Sequence, residues 1–182
     1  LAAFSRPRQG GIRAIELDEG DELIGVALTD GTKDVMLFSN SGKAIRFAED
    51  QVRAVGRTAR GVRGMRLKSD QHIISLIIVG SEDSEVLLAT EKGYGKRTKA
   101  SDFRKIGRGG QGVQAIVTSG RNGLAVSASP ISQNDDLMLI TSAGVMVRTL
   151  ASEISCLSRY AQGVRLINLD SGSKLVGAEQ VK

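Results

Sequence analysis

Apolar and polar residues alternate along much of this chain, in short runs divided by glycine-bearing turns. The alternation is clearest over residues 11–17, 61–67, 112–117 and 163–169. A period of two sends successive side chains to opposite faces, so these stretches read as strands with one wet face. Each is followed by a more continuous apolar run, at residues 23–28, 73–79, 124–128 and 175–178. Such runs suit strands buried on both faces. After a polar break comes a hairpin: residues 37–46, 87–98 and 139–148. No segment sustains a helical period, and helix caps are scarce. The pattern predicts about four short strands per unit and an all-β fold.

The units repeat. The turn glycines Gly42, Gly93 and Gly144 keep a constant step of 51 residues (93 − 42 and 144 − 93). Arg46, Arg97 and Arg148 keep the same step, as do the pairs Arg57/Gly61, Arg108/Gly112 and Arg159/Gly163. Arg6/Gly10 is the earliest copy of that pair, where Arg8 and Gly11 blur the register, and residues 1–10 read as the tail of a unit. Val52, Phe103 and Ile154 recur as apolar anchors of the connectors. The repeats fall at residues 6–56, 57–107, 108–158 and, in part, 159–182. A period of this length with four strands predicts propeller-like blades, about three and a half of them.

Composition adds three constraints. Aromatic residues make up 3% of the 182, with no Trp, so the core is expected to rest on Val, Ile, Leu and Ala. The 22 glycines and 2 prolines suit many tight turns. No apolar run approaches the roughly 20 residues of a membrane helix, and no leader is evident. The single cysteine, Cys156, is expected to be a small, partly buried residue of a reducing compartment. Opening on Leu1 rather than Met, the sequence is expected to be a portion of a longer chain.

Catalytic chemistry finds no foothold in the sequence. His72, the only histidine, stands at the entry of an apolar strand and has no second ligand nearby. Residues 108–112, Arg-Gly-Gly-Gln-Gly, imitate a phosphate-cradling loop but lack its Lys-Ser/Thr and its helix. Asp18-Glu19 and Asp135-Asp136 are acid pairs in turns. No nucleophile, base and oxyanion set can be assembled, so neither an active site nor a cofactor is expected in this chain.

Charge points elsewhere. The net charge of +5 is unevenly spread. Residues 53–68 hold six basic side chains and no acid, and residues 92–108 hold seven against Asp102 alone. Clusters of this kind suit a polyanion. Arg46, Arg97 and Arg148, repeated at one place in each hairpin, form a row able to track phosphates, or else serve the fold itself. The candidate anion-binding residues are Lys43, Arg46, Arg57, Arg60, Arg63, Lys92, Lys96, Arg97, Arg104, Lys105 and Arg108. From residue 121 onward basic and acidic residues nearly balance, at 6 and 5. The first two units are therefore expected to carry most anion contacts. Reversing the charge of Lys92, Lys96 and Arg104 is expected to weaken binding of such a polyanion more than reversing Arg148, Arg159 and Arg165.

With residues 22–26 (Glu-Leu-Ile-Gly-Val), 61–67 (Gly-Val-Arg-Gly-Met-Arg-Leu) and 93–98 (Gly-Tyr-Gly-Lys-Arg-Thr) in view, the whole chain closely resembles the C-terminal domain of the bacterial DNA gyrase A subunit. The resemblance implies a β-pinwheel, a propeller-like ring whose neighbouring blades exchange strands. It implies duplex DNA wrapped on a basic outer rim, in support of ATP-dependent negative supercoiling by a cytoplasmic bacterial holoenzyme. The implied partners are the gyrase B subunit, together with the remainder of the A subunit. ATP and Mg act elsewhere in that assembly, and the cleavage tyrosine belongs to another domain. Such domains have about six blades, so this chain resembles a C-terminal portion, an open arc able to self-associate through its strand edges. The family's wrapping motif, Gln-Arg-Arg-Gly-Gly-Lys-Gly, is echoed only by residues 8–11, Arg-Gln-Gly-Gly. The alternatives are the similar domain of topoisomerase IV and a propeller-like protein-interaction scaffold.

Overall fold

Three antiparallel sheets carry the fold in the computed structural model, which describes residues 4–6 and 8–181. Leu1–Ala3 and Pro7 of the expected unit tail, and Lys182 at the end of the last repeat, lie outside the described residues.

Each hairpin forms where the sequence places it. Strands β1 (Asp34–Ser39) and β2 (Lys43–Ala48), β4 (Glu85–Thr90) and β5 (Tyr94–Lys99), and β8 (Asp136–Thr141) and β9 (Met146–Leu150) are the three pairs. Their three-residue turns close with Gly42 N–H donating to Ser39 O at 3.0 Å, Gly93 to Thr90 at 2.9 Å and Gly144 to Thr141 at 3.0 Å. The glycines sit at φ of 73°, 78° and 80°. A type I turn followed by one left-handed residue is a common three-residue hairpin, and glycine takes that position without a Cβ penalty.

The remaining strands are β3 (Ile73–Val79), β6 (Val113–Gln114), β7 (Ala125–Ile131), β10 (Val164–Arg165) and β11 (Leu175–Val181). The sheets order as β3-β1-β2-β6, β10-β5-β4-β7 and β11-β8-β9. A four-stranded blade is thus not one repeat. The first blade takes its hairpin from the first repeat, β3 from the second and β6 from the third. The second blade is built the same way, one step along. Strand exchange between repeats is therefore present in the pairing itself. β7 packs against both β3 and β11, while β6 and β10 lie on the opposite edges of their sheets from β3 and β7.

Period-two alternation then loads both faces of each hairpin. Met36 and Phe38 face the second blade, meeting Val86 and Leu88, whereas Val35, Ile45 and Phe47 face Met65. On β4, Leu87 and Ala89 turn the other way to join Leu137, Leu139 and Leu175. Burying each such side chain contributes roughly 1.5–3 kcal/mol. The core rests mainly on Val, Ile, Leu and Ala, as expected, and three of the scarce aromatics join it. Phe38, Phe47 and Phe103 are among the largest fully buried side chains, and Phe38 meets Phe103 edge-on at 6.0 Å.

Several expected elements do not form, for one reason. No strand is present at residues 11–17, 23–28 or 61–67, although residues 163–169 and 112–117 supply β10 and β6. The apolar run at 23–28 stands one period ahead of β3, so the hairpin it would pair with falls ahead of Leu1. Leu23, Ile24, Val26 and Leu28 are accordingly exposed. Residues 62–63 stand one period ahead of β6 and miss the same partner. The connector anchors differ. Phe103 and Ile154 are buried between blades, whereas Val52, one period earlier, is 44% exposed. Cys156, expected to be partly buried, is exposed beside Arg97. His72 enters β3 as expected, its backbone N–H donating to Asn40 Oδ1 at 3.2 Å. Among the described residues no helix is long and apolar enough to cross a membrane. The connectors contain only three-residue 3-10 turns, at Glu49–Gln51, Ala100–Asp102 and Ala151–Glu153.

Candidate nucleic-acid interface

The repeated hairpin arginine is a clasp between blades. Arg46 on β2 is 3% exposed. Its Nε donates to Asp34 Oδ2 at 2.8 Å and its Nη atoms to Glu82 at 2.6 and 2.9 Å. Nη1 also donates to the Ala100 carbonyl at 2.8 Å. Donation to Glu82 first, and also to Asp34, raises the Arg46 pKa against the lowering effect of burial. One step on, Arg97 is buried, donating to Glu85 at 2.6 Å and to the Ile154 carbonyl at 2.8 Å. Arg148 pairs with Asp136 yet stays 64% exposed. The acidic partners Asp34, Glu85 and Asp136 also keep the repeat step, each twelve residues before its arginine. That second periodicity is present in the sequence and separates a structural arginine from one free for a ligand. A buried arginine forked onto carboxylate and main chain satisfies its charge inside the fold.

Lys96 is likewise lost to solvent. It is fully buried on β5, its Nζ donating to the Ser158 carbonyl at 2.6 Å. Burial lowers its pKa from 10.5 to about 8. Of the two readings open for the repeated arginines, burial favours the one in which Arg46 and Arg97 serve the fold, and Lys96, expected as an anion contact, also points into the blades.

The other basic candidates divide by partner. Arg60 is exposed but engaged by Asp18 at 2.6 Å and Glu16 at 3.7 Å, and Lys105 by Asp34 at 3.0 Å. Arg57 and Arg108 are half-buried and donate to the carbonyls of Arg13 at 3.0 Å and Arg63 at 2.6 Å. Arg159 repeats this contact with Gln114 at 3.2 Å. The arginine of the repeated Arg-x-x-x-Gly pair thus docks each repeat onto the one before, while keeping a positive charge that enters no ion pair among the described residues. The pair's glycine approaches the hairpin two repeats back: a Cβ on Gly112 would meet Ala44 O at 2.5 Å, and one on Gly163 would meet Gly95 O at 2.5 Å. Lys43, Arg63, Lys92 and Arg104 enter none of the ion pairs among the described residues. Lys92 donates to the Gly120 carbonyl, and Lys43 on β2 lies opposite Gln114 of the outer strand β6. Arg63, Lys92 and Arg104 are exposed.

A cleft of about 530 Å³ opens where Arg6, Arg8, Arg13 and Arg57 come together, with Gly11 and Ile12 in its wall. It holds the Arg8 and Gly11 ends of the Arg-Gln-Gly-Gly string. Sequence reasoning passed over Arg121 and ranked Arg165 among the lesser contributors; the two meet at Tyr94 on the second blade. Strand exchange brings these late residues to the second blade, which a count of charge by repeat cannot anticipate. Among the described residues no group of three or more His, Cys, Asp or Glu side chains could hold a metal ion.

Comparison with known proteins bears on what these surfaces belong to. A family model described as the DNA gyrase C-terminal domain, β-propeller, matches residues 1–30, 33–80, 84–132 and 135–182. The DNA gyrase A protein of Pseudomonas aeruginosa is 52% identical over 182 residues, covering 100% of this chain and 20% of the relative. Its Salmonella typhimurium counterpart is 50% identical over 181 residues, covering 100% and 20%. The chain spans about a fifth of the length of these relatives. Among solved structures, a DNA topoisomerase IV C-terminal domain superposes with a TM-score of 0.91 at 25% identity, covering 99% of this chain and 56% of that one. A DNA gyrase A C-terminal domain superposes at 0.84 and 26% identity, covering 94% and 58%. The backbone is thus shared by both kinds of domain, while the relatives at 52% and 50% identity are gyrase A proteins. The clasped blades, the exchanged strands and the match along the chain agree: the protein belongs to the family of DNA gyrase A C-terminal β-pinwheel domains, of which it is a C-terminal portion.

Proposed function

We propose that this chain binds duplex DNA without sequence preference and bends it along a basic perimeter. In that reading it works as part of a gyrase A subunit, with the B subunit, in a bacterial cytoplasm. The assembly would use ATP and Mg held elsewhere to introduce negative supercoils, and the chain itself would supply no catalytic group. The observation that carries the reading is the set of basic side chains left without carboxylate partners: Lys43, Arg63, Lys92 and Arg104, backed by Arg57 and Arg108. These, rather than Arg46, Arg97 and Lys96, are the contacts proposed for phosphate. The arginine-lined cleft at Arg6, Arg8, Arg13 and Arg57 extends the same chemistry to the first repeat. The unpaired outer edge of β9, with Met146, Val147 and Leu150 exposed, supports self-association as well.

Phosphate neutralisation releases counterions, so log affinity falls linearly with log salt, by about 0.9 per contacted phosphate. Bending a site of about 20–30 base pairs costs on the order of 1–6 kcal/mol, which contacts along the curve must offset. Titrating a fluorescent duplex of about 40 base pairs at several salt concentrations tests the reading. Steep salt dependence, equal for unrelated sequences, is expected. No binding at low salt would favour the scaffold alternative.

A further inference from the structure

Tyr94 opens β5 immediately after the turn glycine, and Arg165 of the outermost strand β10 lies directly opposite it. The Arg165 guanidinium lies 5.1 Å from the ring centroid and donates from Nη2 to the tyrosine hydroxyl at 2.7 Å. Arg121, from the loop before β7, sets its guanidinium 4.4 Å from the same centroid. Two like charges therefore converge on one half-buried ring. Their remaining partners are neutral: Gln162 Oε1 at 2.7 Å for Arg121 and Asn168 Oδ1 at 3.0 Å for Arg165. Neither arginine enters an ion pair among the described residues, in contrast to Arg46, Arg60, Arg97 and Arg148.

The arrangement is held in place before any ligand arrives. Buried Asn122, next to Arg121, donates from Nδ2 to the carbonyls of Val117 at 2.8 Å and Gln162 at 2.7 Å. The backbone N–H of Lys92 donates to Asn122 O at 3.1 Å, and the Lys92 ammonium donates to Gly120 O. The loop is thereby tied to the hairpin turn that carries Tyr94. Two guanidinium forks fixed on an aromatic face, with neutral amides filling only part of their donor sets, match the oxygens of a phosphodiester.

We infer that Arg121 and Arg165, positioned by Tyr94, form a phosphate clamp on the outer edge of the second blade that grips the backbone of duplex DNA. The inference rests on the DNA-binding reading above and adds contacts from the third and fourth repeats to the second blade. It therefore sets the rim charge by blade rather than by repeat.

The test uses the 182-residue chain and the fluorescent duplex. The double variant Arg121→Gln/Arg165→Gln should lower the slope of log affinity against log salt by about 1.8, two contacts' worth. Between about 50 and 200 mM salt, its fall in affinity should then be about tenfold smaller than that of the unaltered chain. Tyr94→Leu keeps both charges and removes the surface that orders them, so several-fold weaker binding with a nearly unchanged slope is expected. A double variant with the unaltered slope, or a Tyr94→Leu chain with unaltered affinity, would overturn the clamp while salt-dependent binding by the parent chain left the broader reading standing. Failure of the unaltered chain to bind the duplex would overturn both.

Discussion

Replacing Arg46 by methionine should loosen the junction between the first and second blades more than any equivalent change at the third. The substitution keeps most of the apolar stem and removes the cation. It leaves Asp34, with a side chain 7% exposed, facing only the Lys105 ammonium at 3.0 Å. It also removes the donor from the Ala100 carbonyl at 2.8 Å and the longer bond to Phe103 O at 3.4 Å. Breaking a buried ion pair from one side costs about 3–5 kcal/mol. Lys105 still faces Asp34, and the freed Glu82 carboxylate can return to water, so the lower end applies, about 3 kcal/mol. For a chain of this size that is a fall in melting temperature of roughly 6–12 °C. Arg148→Met removes the same residue from the same place in the third hairpin, where the pair is exposed and no later connector is clasped. It should melt with the unaltered chain. Urea or thermal unfolding followed by circular dichroism measures both. Equal losses for Arg46→Met and Arg148→Met would refute the clasp as the reason for the repetition.

Two further predictions come from the same geometry. Gly93→Ala combines φ of 78° with a Cβ placed 2.7 Å from Ile167 O, whereas Gly144→Ala has φ of 80° and open space. Both should lose about 1–2 kcal/mol from the left-handed backbone, and Gly93→Ala about 1–3 kcal/mol more from overpacking, read as a difference between their urea midpoints. Lys96 has a folded pKa of about 8 against 10.5 for the free side chain. The folded state sheds that proton first, so its stability should rise by about 2 kcal/mol between pH 8 and 10. Lys96→Met should lack that rise, and parallel pH profiles of the two chains would contradict the assignment.

What is legible in the sequence is local. The hairpins follow from alternation and a glycine that only a left-handed turn requires, and both are written within a dozen residues. Which strands join a hairpin is a non-local matter. Nothing within residues 73–79 states that they pair with residues 34–39, still less that residues 113–114 complete the sheet. The absence of strands at 11–28 and 61–67 has the same origin, since identical patterning needs a partner in order to become a ladder. The arginine row reads as a surface because exposure is not encoded at the arginine. It is encoded by Asp34 and Glu85, and by the connector that the next repeat lays across the guanidinium. Tyr94, Arg121 and Arg165 are far apart in sequence and carry no shared period, so only the fold brings them together.

The central claim is that the basic perimeter bends DNA rather than merely holding it. A duplex of about 150 base pairs is one persistence length and circularises slowly on its own. Ligase-catalysed circularisation of such a fragment should accelerate as this chain is added at low salt, and the acceleration should fade as salt is raised. Saturating binding with an unchanged or slower rate of circle formation would show a protein that coats straight DNA, and would contradict the claim that its perimeter bends the duplex.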